Sequence, residues 1–101
     1  MSEGMKFDEG KAPMNLLPFD SLEAVAKVLD YGARKYAPNN WQLVDNGIER
    51  YSAALLRHLS AFLQGESLDK ESGLSHLSHV ACNALFLVHF ELVRETQNKG
   101  G

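Results

Sequence analysis

The chain has 101 residues, of which 45 % are apolar, and a formal net charge of −3. This length fits one domain with a modest core, and small helical domains often complete such a core by forming oligomers. The slight acidic excess argues against a nucleic-acid partner, because nucleic-acid binders usually carry a basic surplus. The single cysteine, Cys82, excludes an internal disulfide framework, and its apolar neighbours in sequence favour a small buried side chain.

A membrane location is not expected. The first residues lack the apolar segment of a signal peptide. The most apolar stretch, residues 74–93, is nearly long enough for a bilayer, but polar side chains interrupt it and are costly there. We therefore expect a cytoplasmic protein with no membrane partner. The interrupting residues are His76, His79, Asn83, His89 and Glu91.

An irregular N-terminal arm, residues 1–19, is predicted to precede a single helical domain, residues 20–99. Pro13 and Pro18 exclude a long helix in the arm. No segment alternates polar and apolar residues as a strand does. The pattern therefore predicts an all-α fold, a small bundle of three to four helices.

The first helix is predicted to begin after Pro18, with Asp20 as N-cap and Glu23 completing a capping box. Gly32 lies inside it at a cost of about 1 kcal/mol relative to alanine. Either the helix is distorted at Gly32 or something approaches its backbone closely. Its apolar stripe consists of Leu22, Val25, Ala26, Leu29, Ala33 and Tyr36.

A second helix is predicted over residues 47–64. Asn46 and Glu49 form another capping pattern before it, and Gly65 stops it. Its apolar stripe is widened by two leucines. The stripe consists of Tyr51, Leu55, Leu56, Leu59, Phe62 and Leu63.

The last helix is predicted to be capped by Ser72 or Asp69 and to extend to about Gln97. It is apolar almost all round, and a helix of that kind is buried on most sides. Three or four helices from one short chain can hardly surround it. We therefore expect a second copy of the chain to cover it in a homo-oligomer, a dimer or tetramer. The alternative is a helix that is simply central in a monomer.

Three polar side chains share one face of this helix, because His76, His79 and Asn83 are spaced i, i+3 and i+7. Asp69 and Glu71 lie just before it. Imidazoles and carboxylates that converge at a helix start can hold a divalent cation, and the helix N-terminus itself favours phosphate. The alternative for such histidines is a hydrogen-bonded place in the core.

Two further groups are candidates for a nucleotide site. Arg50 and Arg57 lie on one face of the second helix, where they suit bidentate phosphate contacts or a salt-bridging surface. His58 follows Arg57 and points closer to the core. Asn40 and Trp41 offer an amide and an aromatic plane to a nucleobase, or a loop anchored by a buried tryptophan.

Five ordered motifs cover most of the chain: Lys6-Phe7-Asp8-x-Gly10-Lys11-x-Pro13, Gly32-x-x-Lys35-Tyr36, Asn40-Trp41, Tyr51-x-x-Ala54-x-x-Arg57-His58, and Asp69-x-x-Ser72-Gly73-Leu74-x-His76-x-x-His79-x-x-x-Asn83-Ala84-Leu85. In this order they resemble the dATP/dGTP diphosphohydrolase N-terminal domain family of phages and prophages, over residues 5–92. That family is similar to the all-α MazG-like nucleotide pyrophosphohydrolases. Those are helical bundles with sites between subunits, and they use Mg²⁺ or Mn²⁺.

The resemblance implies a metal-dependent diphosphohydrolase that converts purine deoxynucleoside triphosphates to monophosphates and pyrophosphate in the host cytoplasm. MazG-like enzymes carry the acidic motifs ExxE and ExxD. Here Asn83 stands where the aspartate is expected, and Arg57 and His58 stand near the positions of other acids. Amides and imidazoles are poor substitutes for carboxylates around Mg²⁺.

Under this first hypothesis Asp69 and Glu71 bind the metal, and His76 and His79 are ligands or general bases oriented by Asn83. The replaced acids favour a second hypothesis, a non-catalytic phage protein that sequesters a nucleotide or a nucleotide signal. A third is a structural helical oligomer without a small ligand. In the first two, the nucleotide contacts Lys6, Asp8, Lys11, Lys35, Asn40, Trp41, Arg57 and His58.

Overall fold

The computed structural model describes residues 9–100, with side chains described for residues 9–97. No strand occurs in this part of the chain, and helices dominate it, which confirms the predicted all-α fold. Two short 3-10 turns separate or precede the helices. The helices are α1 (Phe19–Lys35), α2 (Gly47–Leu63) and α3 (His76–Gly100), and the turns are Met14–Leu16 and Asn40–Leu43.

Helix α1 begins directly after Pro18, whose carbonyl accepts the Leu22 amide at 3.1 Å. No side chain caps this end. The prediction of Asp20 as N-cap is therefore wrong. Asp20 lies inside the first turn, where its carboxylate accepts the Ser21 amide at 2.6 Å. An acidic group there still interacts favourably with the helix dipole.

Helix α2 follows Asn46, which has a positive φ of 58° and makes no side-chain capping bond. The predicted capping box of Asn46 and Glu49 is therefore wrong. A capping side chain requires extended backbone at its own residue, and Asn46 adopts the left-handed conformation instead.

The predicted stop at Gly65 is confirmed. Gly65 has a φ of 98°, and its amide donates to the Phe62 carbonyl at 3.0 Å. The Glu66 amide donates to the Ala61 carbonyl at 3.0 Å. These two bonds form a Schellman motif, which needs a residue that tolerates positive φ.

The segment between α2 and α3 folds back on itself. Leu68 and Ser75 pair as an isolated antiparallel bridge, and the Asp69 amide donates to the Leu74 carbonyl at 2.8 Å. Ser72 lies at the tip, where its amide donates to the Asp69 carboxylate at 2.8 Å. This hairpin-like loop fixes Asp69 beside the start of α3.

Helix α3 begins at His76, and the Ser75 hydroxyl accepts the Ser78 amide at 3.1 Å as an N-cap does. The prediction that Ser72 or Asp69 caps this helix is therefore wrong. Both residues are used within the preceding loop. The helix packs mainly against α2 and less extensively against α1.

The apolar core of the described chain is small. Val25 and Val28 of α1 meet Cys82 of α3, and all three are buried. Burial raises the pKa of the Cys82 thiol to about 11. The thiol is therefore protonated near neutral pH and acts as a small apolar side chain, as predicted.

One described helix, over His76–Gln97, is long and apolar enough to span a membrane by length and composition alone. A core helix passes the same criteria. Its first turns carry buried polar side chains that hydrogen-bond within the protein. The expectation of no membrane partner stays a prediction.

Large apolar side chains remain exposed along α3 and on the other helices. On α3 they form one stripe, with exposed fractions of 44 % for Leu77, 48 % for Leu85 and Val88, and 55 % for Leu92. Leu56 and Leu63 add exposed side chains seven residues apart on α2.

We predict that this stripe is covered by a second copy of the chain. Light scattering should give a mass of at least twice 11.2 kDa, and Leu85→Glu should shift it toward the monomer, because a charge in an apolar interface is costly. The matched control is Leu43→Glu, at an exposed position outside α3. A monomeric wild type at every concentration would contradict the prediction.

A second prediction concerns two glycines. A Cβ at Gly32 would meet nothing within 4 Å, so no described group requires a glycine there. Gly32→Ala should raise the free energy of unfolding by up to about 1 kcal/mol, because alanine restricts the unfolded chain and favours helix. A Cβ at Gly47 would lie 3.0 Å from Phe90 Cζ, and the Phe90 ring packs against Trp41 and Tyr51. Because these contacts restrict the movement of the ring, Gly47→Ala should destabilise the protein. Urea unfolding measures both, and a destabilised Gly32→Ala protein would be the contrary result.

Candidate functional site

The buried polar side chains of the described chain lie on one face of α3. His76, His79 and Asn83 are 4 %, 8 % and 7 % exposed. Among the described residues no buried side-chain nitrogen or oxygen lacks a hydrogen-bond partner. The face identified from the i, i+3, i+7 spacing is therefore buried, and each of its three side chains makes at least one hydrogen bond.

His76 links α2 to the loop before α3. Its Nε2 lies 2.6 Å from Glu66 Oε2, and its Nδ1 lies 2.8 Å from Nδ1 of His58. A carboxylate only accepts hydrogen bonds, so His76 donates through Nε2. Its Nδ1 therefore faces His58 across a short gap.

His79 lies beside this pair. Its ring stacks on that of His58, with centroids 4.3 Å apart and planes 9° apart, and its Nε2 is 2.7 Å from Ser72 Oγ. Burial lowers the pKa of both His58 and His79 below the ordinary value. Both rings are therefore neutral near pH 7, and the 3.9 Å approach of His79 Nε2 to Asp69 is not an ion pair at that pH.

Asp69 is held as a carboxylate. Burial by itself raises its pKa, but the hydrogen bonds from the Ser72 amide and hydroxyl and the charge interactions with His79 and His58 together outweigh burial and keep the pKa below the usual range. Asp69 thus presents a charged oxygen next to neutral imidazoles.

Glu71 forms a separate cluster with α1. Lys35 Nζ and the Tyr31 hydroxyl donate to the same oxygen, Glu71 Oε2, at 2.5 and 2.6 Å. These hydrogen bonds lower the pKa of Glu71 and raise those of Lys35 and Tyr31. The Lys35 ammonium group is therefore already paired with a carboxylate.

Asp69 and Glu71, which the sequence analysis paired for metal binding, both line the cleft, and this pairing stays a prediction. Among the described residues, however, the donor atoms that converge belong to His58, Asp69 and His76, and one from each lies within 4.8 Å of the others. The carboxylate of Glu71 is engaged by Lys35 and Tyr31, which is the physical reason for the difference.

A cleft of about 950 Å³ runs between α1, the Asn40–Leu43 turn and the buried face of α3. Trp41 lines it, with its ring stacked on Phe86 at 4.2 Å and 12°. The Tyr51 hydroxyl donates to the Trp41 carbonyl at 3.2 Å. Trp41 thus anchors its loop, which was one of the two alternatives from the sequence. It also borders the cleft, where the second alternative, contact with a nucleobase, requires it to lie.

Most of the residues that the sequence analysis selected border this cleft. His76 lies behind His58 rather than in the wall. Asn83 is in the wall, but its amide donates to the His79 carbonyl at 2.8 Å and so supports the helix, not a ring. The selected residues in the cleft wall are Lys35, Asn40, Trp41, His58, Asp69, Glu71, His79 and Asn83.

Two selected residues lie elsewhere. Arg57 and Lys11 are exposed and are not part of the cleft wall. Successive helical residues point about 100° apart, so His58 facing α3 turns its neighbour Arg57 outward. Their assignment as phosphate contacts stays a prediction. Lys6 and Asp8 fall outside the described residues.

Three residues of the site were missed in the sequence analysis. Tyr31 lies four residues before Lys35, so helical spacing already placed the two on one face. Glu66 and Ser72 reach the histidines only through the fold-back of the loop, and no local pattern indicates such a contact.

The charges of the cleft wall are unbalanced toward acid. Among the described residues, the carboxylates of Asp30, Asp69 and Glu71 line the cleft with the single ammonium group of Lys35. Asp30 is paired with Arg34 at 2.9 Å and Glu71 with Lys35, so Asp69 is the carboxylate that keeps its charge unbalanced. His58 and His79 add no charge near pH 7. A polyanion entering this cleft therefore requires added positive charge.

Trp41→Ala tests the anchoring role of the aromatic stack. Because Trp41 is half-buried, we expect a loss of about 2 kcal/mol, below the 3–5 kcal/mol typical of fully buried aromatics. Trp41→Phe should lose less. Urea unfolding followed by circular dichroism measures both. Leu43→Ala, in the same turn and 80 % exposed, should stay within about 0.5 kcal/mol; equal losses at the two positions would contradict the role.

Comparison with known proteins identifies relatives of this chain. The sequence profile of the family described as "dATP/dGTP diphosphohydrolase, N-terminal" matches residues 1–99. A dATP/dGTP diphosphohydrolase of Salmonella phage PMBT28 is 40 % identical over 84 residues, which are 83 % of this chain and 28 % of that relative. The chain thus spans less than a third of the relative's length. No solved structure matches it with statistical significance, so the MazG-like architecture stays a prediction.

Proposed function

This chain belongs to the dATP/dGTP diphosphohydrolase N-terminal family, and from that premise we propose that it binds a purine deoxynucleoside triphosphate and takes part in its hydrolysis. The products would be the monophosphate and pyrophosphate. The observation that carries the proposal is the cleft, which joins an aromatic ring at Trp41 to a carboxylate and two neutral imidazoles. Its volume of about 950 Å³ is at the upper end of small-molecule sites.

The base is proposed to lie at the Trp41 end. The indole ring presents an aromatic plane, and Asn40 beside it offers amide donors and acceptors. The phosphates are then placed toward His58, Asp69 and His79 on the other side of the cleft.

Lys35 is the cation of the cleft wall that can meet a phosphate. Its ammonium group is bound to Glu71, and both side chains are substantially exposed, so the pair is held weakly. An entering phosphate competes with the Glu71 carboxylate for Lys35. Glu71 thus keeps Lys35 extended toward the cleft until a nucleotide arrives.

His79 is the proposed general base. Burial keeps its ring neutral near pH 7, and a neutral ring can accept a proton from an attacking water. Ser72, at 2.7 Å from His79 Nε2, fixes the ring's orientation. Asn83 holds the helix backbone at His79.

A divalent ion is proposed to balance the acidic cleft. The residues present fit such a group through their donor chemistry, because His58, Asp69 and His76 offer converging donor atoms. When bound, the ion would neutralise charge on the phosphates and lower the pKa of a bound water. Two imidazoles fit Mn²⁺ better than Mg²⁺, which prefers oxygen ligands.

A second candidate function is nucleotide binding without hydrolysis. The observation that favours it is the short length of the matched part. The match covers 28 % of the phage relative, so catalytic groups of that relative can lie outside it. The two candidates share the cleft and differ in the fate of the nucleotide.

The deciding test incubates the protein with dGTP or dATP and Mn²⁺ or Mg²⁺, and follows products by chromatography. Hydrolysis to monophosphate and pyrophosphate should occur, stop with EDTA, and fall by roughly 100-fold or more in His79→Gln, as for removal of a general base. Glu23→Gln, an exposed change on α1 outside the cleft wall, is the control.

Fluorescence of Trp41, the single tryptophan, reports binding in the same samples. A nucleotide-dependent change without turnover would establish the non-catalytic binder instead. No change and no turnover would reject both nucleotide functions and leave the structural oligomer.

A further inference from the structure

We propose that His58, His76 and Asp69 form a binding site for one first-row transition-metal dication, and that this site discriminates against Mg²⁺. The ligands would be two imidazole nitrogens and one carboxylate oxygen. The inference deepens the proposed function, and rests on it for the role of the ion beside a nucleotide. Binding of the ion itself requires no nucleotide.

The distance between the two nitrogen donors suits a single ion, and the Asp69 oxygen lies close enough to reach it by a movement of its side chain. One donor atom from each of the three residues lies within 4.8 Å of the others, and the two Nδ1 atoms are 2.8 Å apart. Two nitrogens bound at right angles with metal–nitrogen bonds of about 2.1 Å would be about 3.0 Å apart. An ion can therefore replace the hydrogen between the rings with only a small movement of either side chain.

The groups around the ligands are arranged as they are around metal-bound residues. A histidine ligand usually donates its other ring N–H to a carboxylate, which orients the ring and raises its basicity. His76 does this through Nε2 to Glu66 at 2.6 Å, and so leaves Nδ1 for an ion. The Ser72 amide likewise fixes the Asp69 carboxylate at 2.8 Å.

The site is closed by protein behind and open toward the cleft. His76 is only 4 % exposed, whereas His58 and Asp69 belong to the cleft wall. Three protein ligands on one side leave positions for water or a phosphate oxygen on the other, as catalytic metal sites do. The ion would also offset the acidic excess of the wall.

The donor set determines the selectivity. Mg²⁺ requires hard oxygen ligands and gives up water reluctantly, whereas imidazole suits later first-row ions. Affinities should therefore follow the order Co²⁺ above Mn²⁺ and Mn²⁺ well above Mg²⁺.

The test uses metal-free protein without nucleotide. Mn²⁺ is titrated and its free concentration is followed by electron paramagnetic resonance, while Co²⁺ and Mg²⁺ are titrated by calorimetry. One Mn²⁺ per chain should bind, with Mg²⁺ weaker by an order of magnitude or more. Asp69→Asn, which keeps an acceptor for the Ser72 amide, and His58→Gln should each lose at least about tenfold in Mn²⁺ affinity.

Glu66→Gln tests the orienting carboxylate and should weaken Mn²⁺ binding by roughly 10- to 100-fold in protein that circular dichroism shows to be folded. His89→Gln removes the fourth histidine, which lies outside the ligand cluster, and should leave Mn²⁺ affinity unchanged. The wild-type order of ion affinities is independent of any variant that fails to fold.

No ion binding to the folded wild type, equal affinity for Mg²⁺ and Mn²⁺, or an equal loss in His89→Gln and His58→Gln would each overturn the inference. Ion binding without hydrolysis in the nucleotide assay would support the inference and count against the enzymatic function. Hydrolysis without ion binding would support the enzymatic function and overturn the inference.

Discussion

The hydrogen-bonded chain from Glu66 through His76 to His58 is the interaction on which the rest of the structure depends. It joins the loop, α3 and α2 at one buried point. A buried polar group left without a partner costs about 1–3 kcal/mol, and the apolar core is small, so the fold tolerates these rings only while they are paired. The same region of the structure holds the Asp69 carboxylate and the neutral imidazoles of His58 and His79 in the wall of the cleft. Stability and the candidate chemistry thus depend on one set of contacts.

The helices and the buried face of α3 were predictable because their signals are local. Periodic apolar residues and the stop at Gly65 depend on neighbours within a few positions. The helix starts were less predictable: a side chain can cap only if its own backbone is extended, and the left-handed Asn46 and the fold-back around Asp69 are set by the loops. The grouping of His58 with Asp69 joins residues eleven positions apart across that loop. Closeness in sequence therefore paired Asp69 with Glu71. In the structure the Glu71 carboxylate accepts a hydrogen bond from Lys35.

Much of the apolar surface of the chain stays exposed. Among the described residues three apolar side chains are buried, while a stripe of large apolar residues on α3 stays exposed. Exposed apolar surface of this extent is typical of a protein that contacts another chain or another domain. The matched phage relative is more than three times as long as the matched segment, so in that protein other parts of the chain are available to contact the corresponding surface.

The acidic charge of the cleft is the reason that a nucleotide bound there would require a cation. A nucleoside triphosphate carries several negative charges, and the described wall meets them with three carboxylates and one lysine that is already paired. Under the proposed function, attraction would have to come from a bound cation, from the basic residues of the arm, or from a neighbouring chain. A cation at His58, Asp69 and His76 acts at the shortest range, because it can bind the phosphate oxygens directly. In the site that we propose, the replacement of expected acids by imidazoles would change which ion binds without removing the need for one.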